Sequence, residues 1–531
     1  MYKLFLCLRY LRRRRIAFFA VIAVCLCVAM VLIVISVMGG FLQMVKDRSR
    51  GMLGDLVVEN RSLQGFPYYQ EFIDRTSEEM PDEVHQATPV IITYGVLRFP
   101  ADQITKAVQI VGIRLEETYE VNDFRKGLFY ERYYPQTTTF TPQKQPAYGY
   151  DENRNLILPP ELEAAWQKWC SQTTPSERDQ ARQDSQLEYK RPGYYRPIPY
   201  ERLVVDPGPA WLDGELPGVI LGTDLCAERT STGAYERYYP RGEKVSLTFV
   251  PFSPTGKPVT STGMPSKVFR YVDDSRTGIF DIDSMSVYID FDLLQDVVDM
   301  EAQQADAEAG GGQIPARTTQ VQIKLTPGTD PLQARDRIER IWDAIADRHR
   351  PEAERFFKPA VLDRVQVQTW EEKQARFIAA VEKEKYLVTI LFGVISVVAV
   401  FLVGCIFYMI VQQKTRDIGV VKSVGATSHG VAGIFLSYGA AVGIVGGALG
   451  SILGTIFVWY INEFQELLAK ICPQARIWNP EVYSFDKIPN AVQGMDVAVI
   501  YVIAIIASMI GSVIAAVRAS RIWPVEALRY E

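Results

Sequence analysis

Four stretches of the chain carry no charged side chain over 21 residues or more: Ile16–Met38, Tyr386–Val411, Val431–Ile461 and Val497–Val517. Each reaches the ~20 residues that a helix needs to cross ~30 Å of hydrocarbon. The pattern predicts four membrane-spanning helices. The first run, 23 residues long, exceeds the ~7–15-residue apolar core of a signal peptide, and "VMGGFLQM" is a poor small-residue cleavage site. It reads as an uncleaved span.

Between the first two runs the pattern changes. "GDLVVEN" from Gly54, "TKAVQIVGI" from Thr105, "EKVSLTFV" from Glu243 and "TTQVQIKL" from Thr318 alternate β-branched and polar positions between turn-formers, as strands do. Over Asp330–Arg348 the spacing is helical, with Leu332, Ala334, Ile338, Ile341, Trp342 and Ile345 on one stripe. Strands mixed with helices, and no G-x-G-x-x-G turn, predict α+β layers and not a nucleotide-binding doubly wound sheet. From Trp370 to Lys385, strong helix formers and a stripe of Trp370, Phe377, Ile378 and Val381 run without Gly or Pro into the second span. One continuous stalk helix is expected there, with a matching stalk at "FLQMVKDRSR" after the first span. Two segments read as insertions: residues 130–213, rich in Tyr, Pro, Gln and Arg, and the flexible loop 301–316.

Composition is average, with 531 residues, 48% hydrophobic and net charge −5, because apolar runs and a polar domain cancel. Charge placement is more informative. Lys3, Arg9 and Arg12 to Arg15 precede the first span, Lys414, Arg416 and Lys422 lie between the second and third, and Arg518 and Arg521 follow the fourth. The segment Asn462–Asp496 holds five acidic and three basic residues. By the positive-inside rule the expected layout is cytoplasmic 1–15, span 16–38, an extracytoplasmic domain 39–385 that ends in the stalk 370–385, and span 386–411. A cytoplasmic loop 412–430, span 431–461, outer loop 462–496, span 497–517 and cytoplasmic tail 518–531 complete it. Of seven cysteines, only Cys170, Cys226 and Cys472 fall outside, too few for a disulfide framework, with Cys170 and Cys226 a candidate pair.

Little chemistry is written in the chain. There is no G-x-x-x-x-G-K-[ST], no Cys/His spacing for zinc and no G-x-S-x-G, so no P-loop ATP hydrolysis is expected of this chain. His85, His349 and His429 are isolated, and no metal site is expected. The pair Asp281/Asp283 reads as polar surface on a solvated turn. Aromatic-basic interleaving in the insertion suits single-stranded nucleic acid, but the segment is equally acidic and no nucleic-acid partner is expected. No span holds an ionisable group near its centre, which argues against an ion- or proton-driven pump. Gly439, Gly443 and Gly447, and Gly446, Gly450 and Gly454, recur every fourth residue in the third span, a spacing that lets helix backbones approach closely in lipid.

The stretch "QKTRDIGVVKSVGATSHGVAGIFLSYGAAVGIVGGALGSILG" resembles the cytoplasmic loop and third span of the MacB/FtsX/LolC superfamily of ABC-transporter permeases, and "ASRIWPVEALRYE" resembles its C-terminal signature. "LRYLRRRR" with "VISVMGGF", "VQIVGIRLEETYEV", "LPGVILGTDLC", "FRYVDDSRTGIFDIDSMSVYIDFDLLQDVV" and "TWEEKQARFIAAVEKEK" are similar to the lipoprotein-releasing LolC/LolE branch. Gly39 departs from the Asn usual in that branch.

The resemblance implies an integral inner-membrane permease with four spans in a 1+3 arrangement around a MacB-like α+β periplasmic core. It would work with a second permease subunit, as homo- or heterodimer, and a cytoplasmic ABC ATPase that binds ATP and Mg; no cofactor is implied in this chain. Membrane lipids, a lipoprotein substrate and a periplasmic lipoprotein chaperone would be its further partners. Mapped on these residues, Lys414, Arg416, Asp417, Ile418, Val421, Lys422, Val424 and Gly425 would couple to the ATPase. A helix from Lys414 to Val424 would expose Ile418, Val421 and Val424, and Gly425 would end it. A Pro-rich strand-to-strand loop with Phe252, Pro254, Gly256, Lys257, Pro258 and Pro265 is the place matching the chaperone hook. Trp370, Glu382, Glu384 and Lys385 match the stalk. A MacB-like exporter for other cargo and an FtsX-like transducer that controls a cell-wall hydrolase are the alternative readings.

Overall fold

The computed structural model describes residues 15–60, 62–99, 104–133, 135–142, 149–150, 156–157, 171, 174, 215–229, 235–237, 239, 241–253, 263–304, 312–357, 361–471 and 488–523. Most of the insertion 130–213, Cys170, Cys472, Pro254–Pro258, the N-terminal basic cluster and the C-terminal signature lie outside them. The described residues within Met1–Val45, Arg376–Trp478 and Lys487–Glu531 form one compact unit, and those within Lys46–Ala375 form another.

The first unit is helical. Among the described residues, four helices are long and apolar enough to cross a membrane: α1 (Arg15–Leu53), α2 (Ala375–Gln413), α4 (Ser428–Trp459) and α5 (Gly494–Arg521), with the short α3 (Thr415–Ser423) between α2 and α4. Each charge-free run lies within one of them, apart from Tyr460 and Ile461 at the end of the third. The residues of the expected first stalk continue α1 to Leu53.

Two glycine faces make α4 the centre of this unit. Gly439, Gly443 and Gly447 meet α5 at Ser508 and Ser512, Ala504 and Ile505, and Tyr501; a Cβ on Gly443 would sit 2.8 Å from the Ile505 Cα. Gly446, Gly450 and Gly454 meet α1 at Val24, Val28 and Leu32. Water drives no association between apolar helices in lipid, so backbone approach of this kind supplies the dispersion contacts instead. Ser508 adds a hydrogen bond, its Oγ donating to the Gly439 carbonyl at 2.8 Å. Gly39, where the related branch carries Asn, faces open space, whereas a Cβ on Gly40 would meet the Asn490 backbone at 2.7 Å.

The second unit is built on nine strands: β1 (Leu56–Asn60), β2 (Val84–Phe99), β3 (Ile104–Ile113), β4 (Gly218–Gly222), β5 (Lys244–Phe249), β6 (Ser266–Ser275), β7 (Ser286–Asp290), β8 (Gln320–Leu325) and β9 (Val365–Thr369). Their order is β5-β6-β4-β7-β3-β2-β8-β1-β9, and β5 also pairs with β2. The sixteen-residue β2 takes β8 along Val84–Val90 and β5 along Gly95–Arg98. Six strands therefore close on themselves, and β8, β1 and β9 extend the sheet beyond. Closure brings the Thr248 carbonyl against Gly95, where a Cβ would collide with it.

Both faces of this sheet are covered. Val219, Leu221, Val287 and Ile289 belong to one apolar cluster and the alternating Ile220 and Tyr288 to another, as the period of two requires. Across the larger cluster lies the helix Pro331–Phe356. Asp330 caps it by accepting from the Leu332 N–H at 3.0 Å, with Pro331 in the first turn where no donor is needed. Its Ala334, Ile338, Ile341, Trp342 and Ile345 are buried, and Trp342 stands edge-on to Phe66 and Phe72 at 5.2 and 5.6 Å. Leu332, read as part of that stripe, is 54% exposed.

Two expectations need correction here. The stalk is not one helix from Trp370: a short helix Trp370–Lys373, capped by Thr369 and Glu372 in a reciprocal capping box, stops at Gln374 (φ −94, ψ 7) before α2 begins. That first turn is tied to the sheet by the Trp370 N–H on the Asp55 carbonyl and by Lys373 on Glu59, so the sheet fixes its direction. Asp283 is not on a solvated turn either. It is 1% exposed and accepts from the Thr277 N–H and Oγ1, both at 2.7 Å, and from the Gly278 N–H at 2.8 Å. Only Asp281 is exposed.

Candidate functional site

The short α3 between two apolar helices has a well-defined C-terminal stop. Its C-cap residue is Val424, and Gly425 follows with φ +105, a conformation open to glycine at no steric cost. The Gly425 N–H donates to the Lys422 carbonyl at 3.1 Å and the Ala426 N–H to the Val421 carbonyl at 3.2 Å, the paired bonds of a Schellman stop. Two residues on, Thr427 caps α4 by accepting from the Gly430 N–H at 3.1 Å. The chain thus ends one helix and starts the next within four residues, which fixes the direction of α3.

One residue expected on the exposed face of α3 lies elsewhere. Ile418 is 6% exposed and belongs to the apolar cluster that includes Val411, Val431 and Phe435, so it holds α3 to its own bundle. Val421 (40%) and Val424 (84%) are exposed as expected, together with Val420 (47%), beside the exposed Arg416 and Asp417. Lys414 pairs with Asp417 one turn along. Lys422 turns inward: its ammonium donates to the Ser520 carbonyl at 2.7 Å and the Ile522 carbonyl at 2.9 Å. A cation on the open carbonyls of a helix C-terminus also favours the helix dipole, so Lys422 binds α3 to the end of α5.

In the strand-rich unit, β5 and β6 form a hairpin whose connection carries Phe252 and Pro265; Pro254, Gly256, Lys257 and Pro258 lie outside the described residues. The root of that connection is held from an unexpected place. Arg317, 1% exposed, donates to the Gln64 carbonyl at 3.0 Å, the Asp299 carbonyl at 2.5 Å and the Phe252 carbonyl at 3.4 Å. Burial lowers its pKa to about 10. Nothing in the local sequence marks it, because its partners are main-chain carbonyls far along the chain.

The same holds for the carboxylates beneath Tyr130. Asp273 is fully buried and accepts from the N–H groups of Tyr130 (2.7 Å), Glu131 (2.8 Å) and Asp274 (2.8 Å) and from Thr138 Oγ1 (2.6 Å). Burial first, and then the neighbouring Asp274 charge, push it up to about 7. Asp274 accepts from Tyr271 and Thr223. Cys226 is buried with its Sγ 3.5 Å from Tyr271 Oη, while its candidate partner Cys170 lies outside the described residues. Of the stalk residues, Glu384 is exposed and Trp370, Glu382 and Lys385 are half-buried; the Phe377 side chain lies outside the described set.

Residues 389–524, which hold most of α2 and all of α3, α4 and α5, match the family model of the FtsX-like permease C-terminal domain, about a quarter of the chain. The chain is also similar to the lipoprotein-releasing system transmembrane protein LolC of Xylella fastidiosa (strain 9a5c), 30% identical over 165 residues, which are 31% of this chain and 40% of that protein. With LolE of Haemophilus influenzae (strain ATCC 51907 / DSM 11121 / KW20 / Rd) it shares 28% over 131 residues, 25% of this chain and 31% of that one. The matches therefore span about two fifths or less of these relatives' length. Among solved structures, the periplasmic region of MacB from Actinobacillus actinomycetemcomitans overlaps 63% of this chain and 97% of its own at 10% identity and a TM-score of 0.25.

Proposed function

We propose that the protein is the permease subunit of an ABC transporter that releases lipoproteins from the bacterial inner membrane. In this reading both termini and α3 are cytoplasmic, residues 39–385 are periplasmic, and the spans follow the 1+3 order. A separate ATPase with ATP and Mg docks on α3. A second permease subunit completes the membrane pair, and α1 and α2 carry the stroke outward as stalks. The connection around Phe252 and Pro265 meets a periplasmic chaperone. Moving acyl chains out of a bilayer costs ~0.8 kcal/mol per methylene, so a lipidated cargo needs such a motor.

The observation that carries the reading is α3: a helix of fixed direction, inside the segment similar to FtsX-like permeases, with Val420, Val421 and Val424 exposed. Apolar side chains on a polar membrane flank are partner-binding surface. The test is depletion of the protein followed by membrane fractionation, with co-purification of the ATPase measured in parallel. Accumulation of outer-membrane lipoproteins in the inner membrane is expected. Normal sorting with intact ATPase binding would leave a permease and remove the lipoprotein cargo.

A further inference from the structure

Within the helical unit, α1, α2 and α5 line a partly open cavity of about 560 Å³. It runs from Ile35, Thr389 and Asp496 at one end to Val24, Val403 and Ser508 at the other. Those intervals of 11 to 14 residues correspond to about 16–21 Å of helix axis, roughly the depth of one leaflet of a ~30 Å hydrocarbon core. An apolar cavity of about 150 Å³ already holds a benzene; this one takes a long hydrocarbon chain.

The wall is more apolar than its residue types suggest. Ser396 Oγ donates to the Phe392 carbonyl at 2.9 Å, Thr389 to the Lys385 carbonyl at 2.8 Å and Ser508 to the Gly439 carbonyl. Cys27 Sγ donates to Ser396 Oγ at 3.5 Å. Each hydroxyl proton is thus already used by a backbone carbonyl. What remains is Asp496, half-buried in the first turn of α5 and without an ion-pair partner among the described residues. A leaflet-deep hydrocarbon slot with one carboxylate at its mouth is complementary to an acyl chain that ends in a cation.

We propose that this slot, formed by one subunit alone, holds one acyl chain of a resident membrane phospholipid whose protonated amine lies against Asp496. The site is separate from ATPase docking, and its occupancy does not depend on what the transporter moves.

Gly393 gives a clean way to close it, because it lines the cavity and a Cβ there meets nothing within 4 Å. The full chain is reconstituted into vesicles of equal phosphatidylethanolamine and phosphatidylglycerol, re-extracted, and the retained lipid identified by native mass spectrometry. The wild type is expected to keep one phosphatidylethanolamine, preferred about fivefold, the size of an exposed ion pair. Asp496→Asn should keep a lipid and lose the preference. Gly393→Phe should lose the lipid while melting like the wild type; if it fails to fold, Ala507→Leu fills the same space. No retained lipid in the wild type, retention unchanged in a folded cavity-filled variant, an unchanged preference in Asp496→Asn, or a second copy's helix cross-linking into the slot would overturn the proposal. If Asp496 serves only the helix dipole, Asp496→Asn lowers the melting temperature and leaves lipid choice intact, which also overturns it.

Discussion

Arg317 replaces water for three carbonyls at once. Arg317→Met would leave the Gln64, Phe252 and Asp299 oxygens without that donor, at ~1–3 kcal/mol for each unsatisfied buried group. A drop in melting temperature of many degrees is expected, with Arg317→Lys between the two. Asp273 makes a pH prediction. Its folded pKa of about 7 lies above the ordinary 3.8. Below ~4 both states are protonated; from there to about 7 the unfolded chain alone releases its proton, so stability falls as pH rises. Thermal unfolding of the full chain in detergent should be higher at pH 5 than at pH 7.5, and Asp273→Asn should flatten that slope. Neither residue was legible beforehand. A buried Arg or Asp is recognised by its partners, and those sit up to 253 residues away. Gly425 was legible, since a helix stop with positive φ is a local requirement.

At the scale of elements, the sequence pattern located the apolar helices and the four strand runs it named, because periodicity is a local property. It did not locate β2, whose near-continuous apolar run "PVIITYGV" lacks polar alternation; the strand is buried on both faces only over Ala87–Ile91, and beyond that Tyr94 and Arg98 are exposed. At α3 the pattern placed Val421 and Val424 correctly on the exposed face and misjudged Ile418, because which residues the bundle covers is not a local property. The correction changes the experiment. Val421→Asp with Val424→Asp should abolish ATPase co-purification while leaving the protein folded in the membrane. Ile418→Asp should instead destabilise the bundle by several kcal/mol, the cost of an unpaired charge in an apolar cluster. Retained ATPase binding in the first pair would remove α3 as the docking element. Gly443→Val would thrust side-chain atoms at the Ile505 backbone, an overpacking cost of about 1–3 kcal/mol, readable as a lower melting temperature in detergent.

At the scale of the molecule, the chain enters the sheet at Leu56 and leaves it at Thr369, and these two are register partners in the antiparallel β1–β9 pair. The ladder continues one step further, from the Trp370 N–H to the Asp55 carbonyl at 3.2 Å. If the two helices move together, a disulfide between Leu56→Cys and Thr369→Cys should leave the proposed lipoprotein release unchanged. Release lost on oxidation and restored by reductant would show that they must part.

The same pair makes the unit mechanically directional. A pull that draws both chain ends the same way passes into the sheet as a whole and loads no single bond of the ladder. A pull that spreads them meets first the Trp370–Asp55 bond, then the rung at Leu56 and Thr369, then the next, like a zipper opened from its end. The protein can therefore be tugged hard along one axis and undone gently along another, so an imbalance between the two ends would be relieved by peeling β9 before the closed six-strand ring feels it.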